Sequence, residues 1–267
     1  MNTADTNTPI LYDVSDGVAT ITLNRPEKIN AFNQPMLDAW VAHLVEAQTD
    51  DAVRAIVITG SGKGFCSGGD VDKMGGSDDL TPLRIKEGLR QGVQRIPEQL
   101  ARMDKPVIAA INGSAVGAGL DLALACDIRF AAAGARLSES YVRVGLVPGA
   151  GGAWLLPRIV GTAKALELLW SSEFIDANEA LRLGIVNQIY ADDELLPRTQ
   201  EFAQRLAAAP PMSIRLIKRA VYQGLEMNLT TALDLISSHQ TLVRNSADHA
   251  EAVAALREKR PGIYHGR

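Results

Sequence analysis

The sequence predicts an α/β fold with a parallel sheet, followed by a helical segment at the C-terminal end. Short apolar runs of strand length alternate with helical periodicity from residue 10 to about residue 190, a pattern typical of helices packed on a mainly parallel sheet. After Pro210-Pro211 the remaining segments all have helical spacing. We therefore expect an α/β core over residues 1–204 and a helical region over 205–267. A region of that length is too small for a large core of its own, so it must pack on the core or on another subunit.

The first half of the core begins with a predicted hairpin. Residues 11–23 contain two short strand-like runs separated by Ser15-Asp-Gly17, which is typical of a tight turn. Residues 34–50 have apolar side chains at helical spacing, with Pro35 in the first turn. The apolar run at 55–59, ended by glycines, predicts a buried strand.

The second half of the chain continues the alternation and ends in helices. Buried strands are predicted at 106–111 and 127–131, with a helix over 120–125 between them, and residues 77–103 begin polar and become helical. Three C-terminal helices are predicted, each starting at a side chain suited to an N-cap: Ser213–Gly224, Thr230–Arg244 and Asp248–Lys259.

The composition is that of a globular enzyme and excludes several other classes. Of the 267 residues, 46% are hydrophobic and 22% charged, which is ordinary for a folded domain. The net charge of −4 argues against nucleic-acid binding, which normally requires a basic excess. No apolar run approaches the ~20 residues of a membrane span, and the polar residues 1–9 lack the features of a signal peptide. We expect a cytoplasmic protein with no nucleic-acid or membrane partner.

Cysteine and histidine usage predicts neither a disulfide framework nor a metal site. Cys66 and Cys126 have no CxxC spacing, so we interpret both as reduced structural thiols. The four histidines are scattered and form no HxxxH arrangement. We expect no bound metal.

Two glycine-rich turns, each after a buried strand, carry the strongest functional signal. The first, Gly60–Asp70, contains five glycines but fits neither a phosphate-binding loop nor a dinucleotide fingerprint. The second, Asn112–Gly119, leads from a strand into a helix through small residues. The start of a helix presents free N–H groups and a positive dipole end, which suits an anion that binds or develops there.

Five blocks of sequence together resemble the enoyl-CoA hydratase/isomerase (crotonase) family. They occur in the family's order and spacing, and the resemblance runs from about residue 10 to the C-terminus. The blocks are Asn24–Asn33 (NRPEKINAFN), Gly64–Asp70 (GFCSGGD), Lys105–Gly119 (KPVIAAINGSAVGAG), Leu122–Asp127 (LALACD) and Gly145–Gly152 (GLVPGAGG).

This resemblance implies a fold, an assembly and a binding site. The fold would be a crotonase-like spiral of ββα units, with a helical C-terminal region that forms homotrimers or dimers of trimers. Backbone N–H groups of Ser67 and Ala118 would form an oxyanion hole for the thioester oxygen of an acyl-CoA substrate. Many relatives have glycine where Ala118 stands, so this donor is in doubt only if the position needs a positive φ. No cofactor is implied beyond the coenzyme A of the substrate. The implied contacts with CoA are Lys28, Ile29, Ala31, Ser67, Gly68, Gly69, Asp70, Val71 and Gly117.

The acid–base residues decide which reaction of the family is expected. Hydratases of the family use two carboxylates, and the first falls on Asp121, which is either catalytic or a stabiliser of the helix dipole. The second falls on Tyr141, a departure from the hydratase pattern, because a tyrosine is a donor at neutral pH; it either assists or forms a pocket wall. Glu139 either points where Tyr141 points or is a solvated or salt-bridged side chain. The aspartate of some isomerases is replaced here by Gly149.

The leading hypothesis from the sequence is an enoyl-CoA hydratase, which adds water to a 2-enoyl-CoA. The alternative is a double-bond isomerase, because one carboxylate suffices to move a proton within a substrate. A third hypothesis is a weakly active family member that binds or hydrolyses an acyl-CoA.

Overall fold

The hairpin prediction is confirmed in a computed structural model, which describes residues 8–70 and 81–267. Strands β1 (Ile10–Ser15) and β2 (Val18–Leu23) pair antiparallel, with Ser15 opposite Val18. Asp16 and Gly17 both have positive φ, 51° and 78°. Two such residues form the tight turn whose twist matches that of the strands.

The later elements follow the predicted alternation. The remaining strands are β3 (Ala55–Gly60), β4 (Gly64–Cys66), β5 (Val107–Ile111), β6 (Ser114–Val116), β7 (Ile128–Ala132), β8 (Arg136–Ser138), β9 (Ile175–Asp176) and β10 (Gln188–Tyr190). The helices are α1 (Gln34–Thr49), α2 (Pro82–Gln91), α3 (Arg95–Arg102), α4 (Ala118–Leu124), α5 (Gly152–Val160), α6 (Thr162–Ser171), α7 (Ala177–Arg182), α8 (Leu195–Ala207), α9 (Pro211–Gly224), α10 (Leu229–Arg244) and α11 (Ala247–Glu258).

The described strands form two sheets that grow together along the chain. One has the order β1-β2-β3-β5-β7-β10 and the other β4-β6-β8-β9. Each pass of the chain adds a strand to the first sheet and the next strand to the second, as β3 then β4, β5 then β6, and β7 then β8. Apart from the pairs β1–β2 and β8–β9, the pairings are parallel. This repetition is the predicted spiral of ββα units.

The core lies on both faces of the six-stranded sheet. On one face α1 and α3 pack over alternate side chains of β2, β3 and β5, with Trp40, Ile58 and Ile96 fully buried. On the other face Leu195, Ala203 and Ala207 of α8 cover the opposite set. Helix α8 runs through the predicted boundary near residue 205 and packs on the core sheet, and the division into 1–204 and 205–267 stays a prediction.

The predicted helix over 77–103 is two helices, and its first residues lie outside the described residues. Helix α2 ends at Gln91, and Gly92 separates it from α3, which begins at Arg95. The break lets α2 be exposed along its length while α3 buries Ile96 and Leu100.

Helices α9, α10 and α11 confirm the predicted C-terminal helices, but the predicted N-caps are wrong. Helix α10 is capped by Asn228 rather than Thr230, and α11 by Ser246 rather than Asp248. Helix α9 begins directly after Pro210, without a side-chain cap, so Ser213 lies inside its first turn. Asp248 instead accepts bonds of 2.7 Å from the N–H groups of His265 and Gly266 and holds the C-terminal tail.

An internal hydrogen-bond network joins the helical region to the core. The Asp127 carboxylate accepts from Lys218 Nζ at 2.7 Å and from the Tyr222 hydroxyl at 2.9 Å, both on α9. The same carboxylate accepts from the N–H of Val107 at the start of β5. Within the described parts of the chain, no helix is long and apolar enough to cross a membrane.

Candidate active site

The loop after β2, residues 25–31, is a rigid platform built around one buried side chain. Asn30 is fully buried, and its amide donates to the carbonyl oxygens of Gly64 (2.8 Å) and Ser61 (3.0 Å) while its oxygen accepts from Arg25 N–H (2.8 Å). Next to it, Ile29 has a φ of 51° and a side chain 45% exposed. A β-branched residue in this region is strained by about 1–3 kcal/mol, and such strain is typical of functional sites.

This platform contacts the first glycine-rich turn, so the structure brings together most residues predicted to bind CoA. Ser67 donates from its N–H to the Ile29 carbonyl (3.0 Å) and from its hydroxyl to the Lys28 carbonyl (3.1 Å). Phe32 N–H donates to the Gly68 carbonyl at 2.8 Å. Ala31 is buried beside these contacts. The predicted contact Val71 lies outside the described residues.

The first turn offers a different N–H donor from the one predicted. The Ser67 N–H is occupied by the Ile29 carbonyl, so it is not available to a thioester oxygen, and the prediction for this donor needs correction. Gly69, two residues after Ser67, forms a parallel β-bridge with Phe32. In this bridge the Gly68 carbonyl accepts from the Phe32 N–H and the Asp70 N–H donates to the Phe32 carbonyl. The Gly69 N–H donates to no atom within residues 8–70 and 81–267 and is a free donor of this turn.

Asp70, another predicted CoA contact, has a structural partner. Its carboxylate forms a salt bridge of 3.2 Å with the Arg25 guanidinium, and both side chains are largely buried. Arg25 also donates to the Ala31 carbonyl. This pair ties the platform to the end of the first turn.

The second turn places the start of α4 against the first. Gly117 has a φ of 50°, whereas Ala118, the first residue of α4, is not among the residues with positive φ. Alanine therefore fits this position without backbone strain. A Cβ on Gly68 would lie 3.1 Å from the Val116 carbonyl and 3.6 Å from the Ala118 nitrogen, so the turns are in contact. The Ala118 N–H has no partner within the helix because it belongs to the first turn.

Asp121 lies one turn into α4 and is fully buried. Its Oδ2 accepts from the Tyr141 hydroxyl at 2.5 Å and from the Ala150 N–H at 3.3 Å, while its Oδ1 has no hydrogen-bond partner among the described residues. Burial raises the pKa of the Asp121 carboxyl, against the opposing effects of the Tyr141 hydroxyl and the Gly152 and Ala150 amides. Asp121 is the acidic residue in the first turn of α4, as the helix-dipole alternative requires, and its carboxyl also faces the amides at the start of α5.

Tyr141 connects the second turn to Asp121. It lies in a short 3-10 helix (Ser140–Val144), and a Cβ on Gly117 would be 3.8 Å from its ring. Burial and the neighbouring Asp121 carboxylate raise the pKa of its hydroxyl well above the ordinary value. Tyr141 is therefore a fixed donor to Asp121 and cannot serve as a base at neutral pH.

Glu139 is a second carboxyl beside Asp121. Its side chain is 2% exposed, and neither of its oxygens accepts a hydrogen bond from a donor within the described parts of the chain. The alternative of a solvated or salt-bridged glutamate is therefore wrong. Burial and the charge of Asp121 raise the pKa of the Glu139 carboxyl well above its usual range. Two negative charges in one desolvated site repel each other, so one of the two carboxyls is held neutral.

The chemistry of the site follows from these positions. Two free N–H groups, of Gly69 and Ala118, stand on adjoining turns, and a single buried aspartate held by donors stands one helical turn from the second. Such a site can stabilise negative charge that develops on a carbonyl oxygen and can move a proton nearby. In residues 8–70 and 81–267, no three His, Cys, Asp or Glu side chains are grouped to hold a metal ion. That the protein binds no metal stays a prediction.

Comparison with known proteins agrees with this fold and site. The sequence profile of the family described as enoyl-CoA hydratase/isomerase matches residues 13–267. The 1,2-epoxyphenylacetyl-CoA isomerase of Escherichia coli (strain K12) is 38% identical over 97% of this chain and 98% of the relative. A probable enoyl-CoA hydratase of Rhodobacter capsulatus is 39% identical over 97% and 98%. The crystal structure of an enoyl-CoA hydratase from Bacillus anthracis superposes with a TM-score of 0.91 at 31% identity, covering 97% of this chain and 100% of that one.

The spiral of two sheets with a buried carboxyl behind two adjoining turns defines a crotonase-fold enzyme. The chain belongs to the enoyl-CoA hydratase/isomerase family, which includes both hydratases and isomerases. The predicted fold and family are confirmed.

Two features of the site escaped the sequence interpretation. The amides of Ala150 and Gly152 at the start of α5 face the Asp121 carboxyl, and a Cβ on Gly152 would overlap Asp121 Oδ1. The glycine cluster at 149–152 was a usable signal, since glycine is required where another group approaches the backbone closely. The two-residue spacing from Tyr141 allowed Glu139 to point inward, but it carried no signal that the side chain would be fully buried beside Asp121 without a donor.

Proposed function

We propose that the protein is an enoyl-CoA double-bond isomerase in which Asp121 moves a proton within one acyl-CoA thioester. The observation that carries this proposal is the bond from the Tyr141 hydroxyl to Asp121. Because of this bond, Tyr141 is a hydrogen-bond donor and not a base at the position where the hydratase pattern has its second carboxylate. A single base suffices for isomerisation, whereas addition of water is helped by a second group.

The N–H groups of Gly69 and Ala118 serve in this proposal as the oxyanion hole. Asp121 removes a proton from the carbon next to the thioester of a 3-enoyl-CoA, and the electron pair of that C–H bond moves into the enolate. The negative charge falls on the thioester oxygen, where the two N–H donors stabilise it. Asp121 then returns the proton to the carbon at the far end of the former double bond, which gives the 2-enoyl-CoA. Losing one such donor typically costs about 3–4 kcal/mol of transition-state stabilisation.

The binding of CoA is proposed for the platform of Lys28, Ile29 and Ala31 and for the turn Ser67–Asp70, with Gly117 beneath Tyr141. Ile29 supports this assignment because it combines backbone strain with an exposed apolar side chain next to the turn. Neither metal nor redox cofactor is required, because the proton transfer uses a carboxylate and backbone donors.

Enoyl-CoA hydratase is the second proposal, favoured by the presence of a second carboxyl, Glu139, beside Asp121. The two reactions are separated by incubating the pure protein with 2-enoyl-CoA and 3-enoyl-CoA esters and measuring product mass. An unchanged mass with a shifted double bond supports the isomerase, and a gain of one water supports the hydratase. Free CoA supports a thioester hydrolase. Esters that bind unchanged would contradict all three for the acyl groups tested and favour a binding protein.

The role of Asp121 has its own test in the Asp121→Asn variant. Asparagine has the same shape as aspartate and can still accept hydrogen bonds from Tyr141 and Ala150. It cannot accept the substrate proton, so kcat falls by roughly 10²–10⁴-fold. Affinity for the CoA ester, measured by calorimetry, stays close to that of the wild type. An unchanged kcat would assign the base elsewhere.

We also propose that the protein assembles as a homotrimer or a dimer of trimers through its helical region. The support is a set of exposed apolar side chains on α9, on α10 and on the residue that follows α9: Ile217, Val221, Leu225, Leu229, Leu233 and Ile236. Patches of this kind usually mark interfaces. Light scattering coupled to size exclusion measures the mass directly, and a monomer at micromolar concentration would contradict the proposal.

A further inference from the structure

Glu139 is an unusual residue to find buried beside the proposed base. Strand β8 ends one residue earlier and pairs with β6 and β9, and the Glu139 carbonyl accepts from Ser172 Oγ (3.2 Å) and Tyr141 N–H (2.9 Å). The main chain is therefore fixed on both sides. The side chain points inward, where neither carboxyl oxygen has a donor as partner in the described parts of the chain.

A charged carboxylate in such a place is costly. An ionised group without hydrogen bonds or a cation loses its hydration, and in practice it takes up a proton instead. The ionisable groups that face Glu139 are Asp121 from α4 and Tyr141 from the 3-10 helix. Neither supplies a positive charge, and a second carboxylate adds repulsion.

The hydrogen bonds decide which member of the pair keeps the proton. Asp121 accepts from the Tyr141 hydroxyl and the Ala150 N–H and faces the positive end of α5, all of which favour its charged form. Glu139 has none of these donors. Burial raises the pKa of both carboxyls, but hydrogen bonds from Tyr141, the Gly152 and Ala150 amides and Glu139 oppose the rise at Asp121, whereas the Asp121 charge adds to it at Glu139.

We propose that Glu139 keeps a proton throughout the working pH range and acts as a positioning residue that holds Asp121 ionised and oriented as the base. This inference rests on the proposed function only for the role of Asp121; the location of the proton is a property of the fold. A Glu139 that keeps its proton neither accepts one from water nor gives one to the substrate, so the inference leaves Asp121 as the member of the pair that transfers protons.

The location of the proton is tested without substrate by infrared spectroscopy near neutral pH. A neutral carboxyl has a C=O stretch that a carboxylate lacks. We expect a buried carboxyl band in the wild type that is absent in Glu139→Gln and persists in Asp121→Asn. A band that persists in Glu139→Gln and disappears in Asp121→Asn would overturn the proposal, as would the absence of any such band in the wild type.

The positioning role is tested by the pH dependence of kcat/KM in two variants of Glu139. Glutamine is a neutral, polar replacement, so Glu139→Gln is expected to keep kcat and the acid limb of the profile close to those of the wild type. Glu139→Leu removes the polar neighbour, so the acid limb moves to higher pH and kcat falls by about 10-fold or more. A purely structural role would lower stability in Glu139→Leu without moving the acid limb.

The outcomes also distinguish this inference from the proposed function. If Glu139→Gln loses activity as completely as Asp121→Asn, Glu139 itself transfers a proton and the inference is overturned, while the acyl-CoA reaction stands. If no enoyl-CoA ester is turned over, the proposed function fails and the infrared result still decides where the proton lies. Should Glu139→Leu not fold, the Gln variant and the infrared bands remain decisive.

Discussion

At the scale of single residues, the balance between burial and hydrogen bonding sets the behaviour of Asp121. Burial raises the pKa of its carboxyl, and the Tyr141 hydroxyl opposes that rise. A base works only when ionised, so activity is present above this pKa and is lost as the pH falls through it. The acid limb of kcat/KM should therefore lie at higher pH than for an exposed aspartate.

Replacing Tyr141 with phenylalanine tests this balance. The Tyr141→Phe variant loses the 2.5 Å bond to Asp121 Oδ2, the carboxylate loses a donor, and the pKa of Asp121 rises. The acid limb moves to higher pH, and the profile of kcat/KM against pH measures the shift. Tyr222→Phe is the matched control because Tyr222 bonds to Asp127, away from the site. If the acid limb of Tyr141→Phe coincides with that of the wild type, Tyr141 is only a wall of the pocket.

Gly152 leaves the space that Asp121 occupies. A Cβ at Gly152 would overlap Asp121 Oδ1, so Gly152→Ala displaces the carboxyl, and a misplacement of about 1 Å costs roughly 10²-fold in kcat. Gly224→Ala serves as the control, since a Cβ there meets nothing within 4 Å. Steady-state kinetics measure kcat for the two variants. Equal kcat values for Gly152→Ala and Gly224→Ala would mean that Asp121 need not be held in this position.

At the scale of elements, the loop from Pro26 to Ala31 depends on Asn30. The Asn30→Ala variant leaves the carbonyls of Gly64 and Ser61 and the N–H of Arg25 without their partner. It also puts alanine at a φ of 55°, which asparagine tolerates better. We expect the free energy of unfolding to fall by about 2–4 kcal/mol and the KM for the CoA ester to rise.

Denaturant unfolding measures the stability change, with Asn245→Ala as a control. Asn245 is exposed and makes one bond to the Thr241 carbonyl, so its loss should be small. A stable Asn30→Ala variant with unchanged KM would mean that the strained platform neither depends on Asn30 nor shapes the CoA site.

At the scale of the whole molecule, the helical region is joined to the core by Lys218. Its ammonium group donates to the Asp127 carboxylate (2.7 Å) and the Lys105 carbonyl (2.9 Å), and both side chains of the ion pair are mostly buried. Lys218→Met leaves Asp127 without its charged donor. We therefore expect the free energy of unfolding to fall by about 1–3 kcal/mol. Thermal unfolding reports the loss, and hydrogen exchange locates it in α9.

The control for this variant is a surface ion pair. Lys164 pairs with the largely exposed Glu167, and such pairs contribute about 0–1 kcal/mol. Lys164→Met should therefore change the midpoint of unfolding little. Equal effects of the two substitutions would show that the Lys218 network does not hold the helical region on the core.

Much of the element order and the family follow from the amino-acid sequence, whereas the break at Gly92 and the caps of the C-terminal helices do not. The hairpin turn at Asp16-Gly17, the helix from Gln34 and the strands at 55 and 107 follow from local periodicity and turn chemistry, which act over a few residues. Asp121 was predicted from its place two residues after Gly119, the last residue of a family block, and the structure places it in a buried site.

Which N–H groups and carboxyl oxygens of the site are free and which are bonded depends on contacts between distant parts of the chain. The Ser67 N–H is bonded to the carbonyl of Ile29, which lies in a distant loop of the chain, and Gly69 is left as the donor. Asp121, Glu139 and Tyr141 meet because parallel strands of successive turns lie side by side, which no local pattern encodes. Hydrogen bonding and desolvation depend on these distant neighbours, and they determine which carboxyl is charged.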